Sequence, residues 1–154
     1  MNIYSIEKLK NLKNQDYLIN QEFNQSFRHI GSSTLAFDSR FESGNLSLAS
    51  YIKEIDVYLL LLHNDVNTSG YTSWFYFKVQ NSSRGNYRFA ILNYGKAGWQ
   101  HNNGVKICCY KKDGGWHRGG TNIHCQANRK IFEKGTLLNF NCLYFEYEFE
   151  EDNS

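Results

Sequence analysis

The sequence predicts an all-β fold, an antiparallel β-sandwich of roughly 7–9 strands behind a short helical or extended N-terminal extension. Three observations carry that expectation. Aromatic residues make up 16% of the chain, and large aromatics favour the pleated, half-buried surface of a strand. Short apolar runs separated by Gly, Asn and Ser recur from Leu35 to the end, with no alternating helices. Proline is absent, so none of these runs is demoted as a strand on that ground. The 154 residues are enough for one domain with a sizeable core, and disorder is excluded by the hydrophobicity and low net charge.

In chain order, Ile3, Ile6, Leu9 and Leu12 stand three apart, the spacing of a short amphipathic helix. Residues 14–25 are polar and rich in Asn and Gln, and read as a linker. Residues 1–27 are therefore expected as an extension, and 28–154 as the sandwich domain. Leu35 to Phe41 reads as a strand, ended by the Gly44-Asn45 turn. Ile55 to His63 is a nearly continuous apolar run, as in a core strand buried on both faces. Thr72 to Gln80 and Tyr87 to Tyr94 follow, joined by a loop over 81–86. Val105 to Lys111 is ended by Asp113-Gly114-Gly115. Leu138 to Phe149 alternates, with Leu143, Phe145, Tyr147 and Phe149 expected towards the core and Phe140, Cys142, Tyr144, Glu146 and Glu148 on the other face.

Several function classes are excluded. Residues 1–13 lack the apolar segment of a secretory signal, and the longest apolar run, Val57 to Leu62, is far too short to span a bilayer. The expected compartment is cytoplasmic, with Cys108, Cys109, Cys125 and Cys142 reduced and the Asn-X-Ser/Thr matches at Asn24, Asn45, Asn67 and Asn81 unglycosylated. No zinc-peptidase ligand spacing surrounds the five histidines, and no serine-hydrolase elbow or phosphate-binding lysine loop is present. A zinc site built from Cys108, Cys109, His124 and Cys125 is disfavoured, because adjacent strand residues point to opposite faces. Gly114-Gly115 and Gly119-Gly120 flank Trp116, His117 and Arg118, and read either as two tight turns around a packing tryptophan or as a backbone nest for an anion. No cofactor is expected. Runs such as Trp74-Phe75-Tyr76-Phe77 read as sheet packing rather than a nucleic-acid platform. Neither nucleic acid nor membrane is an expected partner.

Net charge is only +2, but its distribution is uneven. Between Val66 and Phe132, ten cations (Lys78, Arg84, Arg88, Lys96, Lys106, Lys111, Lys112, Arg118, Arg129, Lys130) face one acid, Asp113. The C-terminus is acidic, through Glu146, Glu148, Glu150, Glu151 and Asp152. Two readings of the basic middle remain open: solvated hairpin tips, or a surface for an acidic partner.

A set of ordered strings resembles the N-terminal domain of cytosolic carboxypeptidases. Phe37-Asp38-Ser39-Arg40-Phe41-Glu42-Ser43-Gly44-Asn45-Leu46 is similar to that family's opening "SRFESGNL" signature. Asp65-Val66-Asn67-Thr68 is similar to its D-V/I-N turn. Trp74-Phe75-Tyr76-Phe77-Lys78-Val79 resembles a WFYF-x-V strand, and Tyr87-Arg88-Phe89 with Ile91 and Asn93 resembles YRFNI-x-N. Gly104-Val105 occupies the place of a GM-x-P segment. Trp116, Arg118, Gly120 and Thr121 resemble a W-x-R-x-GT-D block, and Leu143 to Phe149 the closing strand. The likeness runs from about Ala36 to Phe149 and departs in three ways: Asn122 stands in place of Asp, His124-Cys125 replaces an aromatic pair, and the family's prolines are missing.

The resemblance implies a non-catalytic β-sandwich. The family's members are zinc carboxypeptidases that remove glutamates from tubulin and other proteins, with their ligands in a following domain, so no catalytic residue or metal is carried over. The signature reads mainly as a folding motif, in which Arg40 and Glu42 share a strand face and pair there or across strands. The candidates for contact with an acidic partner are Arg84, Arg88, Lys96, Lys106, Lys111, Lys112, Arg118, Arg129 and Lys130. Two functional expectations stand side by side. One is a stand-alone interaction protein of microtubules or cilia that binds tubulin, towards which the initial Met and acidic end lean. The other is an accessory domain or fragment of a tubulin-deglutamylating carboxypeptidase assembly.

Overall fold

The computed structural model describes residues 35–150 except 69, 70, 82, 97, 134 and 135, and over 128–140 the description is confined to the backbone. The expected helix at 3–12, the linker at 14–25 and the boundary at 27/28 lie outside the described residues. Among the described residues there are nine strands and one short helix, in order: β1 (Leu35–Asp38), β2 (Leu46–Ile52), β3 (Val57–Leu62), β4 (Lys78–Asn81), β5 (Gly85–Tyr94), α1 (Trp99–Asn102), β6 (Ile107–Lys111), β7 (Gly115–Gly119), β8 (Thr121–Glu133) and β9 (Thr136–Phe149).

A five-stranded sheet runs in the order β2-β3-β5-β9-β8, with β1-β4 and β6-β7 as separate pairs. All pairings are antiparallel except β3 with β5, which is parallel with Tyr58 opposite Phe89 and Leu60 opposite Ile91. A parallel pair needs a crossover connection. Here the chain leaves the sheet after β3, crosses the second layer through 71–81, and returns as β5. The fold class is thus the expected sandwich, with one parallel pairing inside it. No helix among the described residues is long and apolar enough to cross a membrane.

Strand periodicity explains the core. Tyr58, Leu60, Phe89, Ile91, Leu143 and Phe145 line one face of the large sheet. Phe37, Val79, Ile107 and Cys109 meet them from the smaller pairs, and Phe75 and Phe77 from the segment leading into β4. Phe89 stacks on Phe145 at 5.1 Å and 20°, and Phe75 stacks on Phe145 from the other layer at 6.4 Å. The opposite face of the sheet carries a second cluster of Val57, Leu59, Ala90, Cys142 and Tyr144. β3 is therefore buried on both sides, as its continuous apolar run predicts. The expected inward face of β9 is the observed one, and Cys142 and Tyr144 on its other face are buried as well.

Three asparagine side chains act as surrogate peptide groups. Asn45 Nδ2 donates to the Trp74 carbonyl at 2.9 Å, and Asn45 Oδ1 accepts from the Tyr76 N–H at 2.8 Å. Asn93 does the same across β3, donating to the Leu62 carbonyl and accepting from its N–H, both at 2.9 Å. Asn102 of α1 holds both backbone groups of Cys125 on edge strand β8, at 3.0 and 2.7 Å. Buried backbone groups must find partners, and these amides supply them where the ladders stop.

Several expectations are corrected by local geometry. Of the expected 72–80 strand only 78–80 pairs, within a strand (Lys78–Asn81) that takes Asn81 from the expected loop, because 74–76 is bonded to Asn45 rather than to a ladder. β1 ends at Asp38, so Arg40 and Glu42 lie beyond it and do not share a strand face. Arg40 instead pairs with Asp38 at 3.0 Å. The segment 115–119 is a strand paired with β6 along its length, so its backbone bonds run to a ladder rather than to a nest. The turns expected on either side of Trp116 are present, with Gly115 at φ 66 and Gly120 at φ 84, but Trp116 itself is exposed rather than buried between them.

Candidate interaction surface

The β6–β7 hairpin packs on the large sheet by its inner face and presents its outer face to solvent. Ile107 and Cys109 point inward. His117 joins them, its Nε2 lying 3.3 Å from the Tyr147 hydroxyl. Alternation then turns Cys108, Tyr110, Trp116 and Arg118 outward, and all four are exposed. Tyr110 and Trp116 are directly opposite each other. Their turn is closed by Gly114 N–H donating to the Lys111 carbonyl at 3.1 Å, with Gly115 at φ 66, a conformation that favours glycine.

Cations gather on this hairpin. Lys106 is exposed just before β6, Lys112 is exposed in the turn, and Arg118 is held by its Nη1 donating to the Lys106 carbonyl at 3.1 Å. None of the three makes an ion pair among the described residues. Lys78 extends the patch from β4, on the outward side shared with Tyr76.

The other basic candidates lie elsewhere or are engaged. Lys111 turns inward, and its Nζ is 3.7 Å from Glu150. Arg88 stands with Ala90 on the far side of the large sheet, 3.6 Å from Asp56 and opposite Glu146. Arg84 is exposed in the loop before β5, and Lys96 in the loop after it, where its carbonyl accepts from Asn141 at 2.8 Å. Arg129 and Lys130 belong to β8, where only the backbone is described.

The signature residues separate into two groups. Gly44, Asn45, Phe75, Phe77, Tyr87 and Phe89 build the fold. A Cβ on Gly44 would collide with the Ser39 carbonyl, and Tyr87 packs edge-on against Phe149 at 5.5 Å. Asn67, at φ 59, shapes the 65–68 turn, and Gly120, at φ 84, links β7 to β8. Thr121 is exposed opposite Glu146. Phe41, Trp74, Tyr76 and Trp116 are instead exposed by 37%, 40%, 40% and 61%, too open to serve as core. Glu42 is exposed beside Phe41. Trp74 is fixed by its Nε1 donating to Asp65 at 2.8 Å.

The sequence alone does not single out Tyr110, 60% exposed and 5.3 Å from Trp116, nor Lys78 as a candidate for partner contact. The available signal was the outward alternation of Cys108 with Tyr110 and of Trp116 with Arg118 across a Gly-rich turn.

The sulfur groups are not arranged for chemistry. Cys108 points outward and Cys109 inward. Cys125 is buried in the main core, while His124 stacks at 5.0 Å on Tyr144, on the other face of the sheet. Burial pushes the Cys109 and Cys125 thiols up and the Cys142 thiol up to about 12. A raised pKa keeps a thiol protonated, whereas the thiolate is the ligand and nucleophile. No group of three or more metal-ligating side chains is present among the described residues.

A family model described as the cytosolic carboxypeptidase N-terminal domain matches residues 37–147. Cytosolic carboxypeptidase 2 of Xenopus tropicalis is 36% identical over 129 residues, covering 79% of this chain and 13% of that protein. Cytosolic carboxypeptidase 2 of Mus musculus is 40% identical over 127 residues, covering 78% and 14%. Cytosolic carboxypeptidase 1 of Danio rerio is 42% identical over 78 residues, covering 50% and 7%. The matched region is thus a small fraction of each relative's length.

Proposed function

The chain belongs to the cytosolic carboxypeptidase N-terminal domain family, and from that premise we propose that it is a non-catalytic interaction module binding acidic, glutamate-rich proteins, tubulin among them, in the cytoplasm at microtubules or cilia. The observation that carries this reading is the β6–β7 hairpin. It holds Lys106, Lys112 and Arg118 on one exposed element, without ion pairs among the described residues, against a single turn acid, Asp113. Clustered exposed cations attract a polyanionic chain and speed its association.

Titration with a glutamate-rich peptide at low salt, and again at about 0.5 M where exposed charges are strongly screened, tests this. Binding at low salt that weakens at least about tenfold at high salt, and is lost in the Lys106→Glu/Lys112→Glu/Arg118→Glu variant, supports the reading. No binding at low salt rejects it.

A second reading is favoured by the coverage of the relatives: an accessory domain of a zinc metallocarboxypeptidase that deglutamylates tubulin. Both readings place the bond-breaking residues outside this chain. Incubating the pure chain with zinc and a peptide ending in glutamate should release no glutamate. Measurable release would overturn the non-catalytic assignment.

A further inference from the structure

We propose that the outer face of the second layer docks an acidic segment with apolar side chains interspersed among its carboxylates, rather than a uniform run of glutamates. The proposal rests on the acidic-partner reading and assigns that partner a second chemical requirement.

The residues responsible are aromatics that the core does not use. Along 74–79, Phe75, Phe77 and Val79 turn inward, while Trp74 and Tyr76 occupy positions that an ordinary half-buried strand gives to polar side chains. Tyr76 meets Phe41 edge-on at 5.0 Å and Trp116 at 6.3 Å, and Trp116 meets Tyr110 edge-on at 5.3 Å. These contacts join two separately paired pieces of the second layer into one apolar ribbon. The ribbon is preorganised: Tyr110 and Trp116 are cross-strand neighbours, and the Phe41 carbonyl closes a turn by accepting from Gly44 at 2.9 Å. Tyr, Trp and Arg at the centre of a rigid patch are the side chains that dominate binding energy.

Charge chooses the occupant. Lys78, Lys106, Lys112 and Arg118 border the ribbon, against Glu42 and Asp113. A second copy of this chain would bring two basic rims together, and a wholly apolar partner would leave those cations unanswered. A uniform polyglutamate would place carboxylates over ring faces, which carry the negative side of the aromatic quadrupole. Alternate residues of an extended chain stand about 6.7 Å apart, close to the ring spacings. Such a segment can set apolar side chains on the rings and carboxylates on the rim.

The test is fluorescence anisotropy with two peptides of equal length, one all glutamate and one alternating glutamate with leucine. The chain is compared with Trp116→Ala and Tyr76→Ser, and thermal melts confirm that these surface changes leave the fold intact. The alternating peptide should bind at least about tenfold tighter. Trp116→Ala should remove most of that preference while leaving the all-glutamate affinity within about twofold. Equal affinities for the unaltered chain, or a variant that weakens both peptides alike, would overturn the proposal while leaving the acidic-partner reading in place. A preference that ignores salt would keep the aromatic anchor and remove the acidic reading. Failure of both peptides to bind removes both.

Discussion

Asn45 and Tyr76 are bonded reciprocally: the Asn45 N–H donates to the Tyr76 carbonyl at 3.0 Å, and the Tyr76 N–H donates to Asn45 Oδ1 at 2.8 Å. With the third bond, from Asn45 Nδ2 to the Trp74 carbonyl, one buried side chain fixes the aromatic segment to the end of β2. Removing the amide strands an N–H and a carbonyl, each costing about 1–3 kcal/mol if left unsatisfied. Asn45→Ala should therefore lower unfolding free energy by about 2–4 kcal/mol in urea titration. A loss below about 0.5 kcal/mol would show that solvent replaces the amide freely.

Thiol reactivity should be sharply unequal. Cys108 is exposed and Cys109 half-buried, whereas Cys125 and Cys142 are buried. In the folded chain at pH 8, an alkylating reagent should modify Cys108 rapidly and the other three slowly, with all four reacting after denaturation. Rapid labelling of Cys142 would contradict its place in the second cluster.

The same burial sets an alkaline limit. Cys142 is held protonated to about 12 against an ordinary 9, chiefly by desolvation, and Tyr144 beside it to about 12 against 10 for the same leading reason. Folded values above unfolded ones mean that the native state retains protons the unfolded chain gives up. The associated stability is complete below about pH 9 and declines as pH rises towards 12. Urea midpoints across this range should fall for the unaltered chain and fall less steeply for Cys142→Val, measured against its own midpoint at pH 7. Parallel slopes would remove Cys142 from the account.

Asn122 explains one departure from the resembling pattern, which has Asp there. At φ 49, Asn122 donates from Nδ2 to Glu146 Oε2 at 3.0 Å, and Asn86 donates to the same oxygen at 2.9 Å. An Asp at 122 would set a second carboxylate against that oxygen. Like charges raise the folded pKa of the introduced acid above its unfolded value. The variant's stability is then best at low pH and lost as pH rises through that raised value. Asn122→Asp should match the unaltered chain near pH 4 and fall behind by less than about 1 kcal/mol at pH 7, the scale of partly exposed charge pairs. A deficit that grows towards low pH would reverse the assignment.

Much of this architecture was legible in the residues, and the misses share a cause. β3 announces itself by an unbroken apolar run, and β9 by strict alternation of aromatics. β2 does not, because an irregularity between Leu46 and Leu48 breaks its period. β8 is a polar strand with register shifts at Thr121/His124 and Asn128/Ile131, so its membership in the sheet depends on β9 rather than on its own pattern. β7 is a five-residue strand set between two glycine turns, too short to show a period of its own. The parallel β3–β5 pairing is a property of the path between them and has no local signature. The cations were countable, but their separation between hairpin and far sheet face required the register. The outward aromatics looked like core because composition cannot say which side of a strand a ring occupies.

The central claim is that the outer face of the second layer, centred on the β6–β7 hairpin, is where acidic polypeptide binds. Amide shift mapping by NMR during titration with a glutamate-rich peptide at low salt tests it most directly. Perturbations should concentrate at Lys106 to Gly119 and at Tyr76 to Lys78. Shifts centred instead on Asn86, Arg88 and Glu146, across the far face of the large sheet, would contradict the claim.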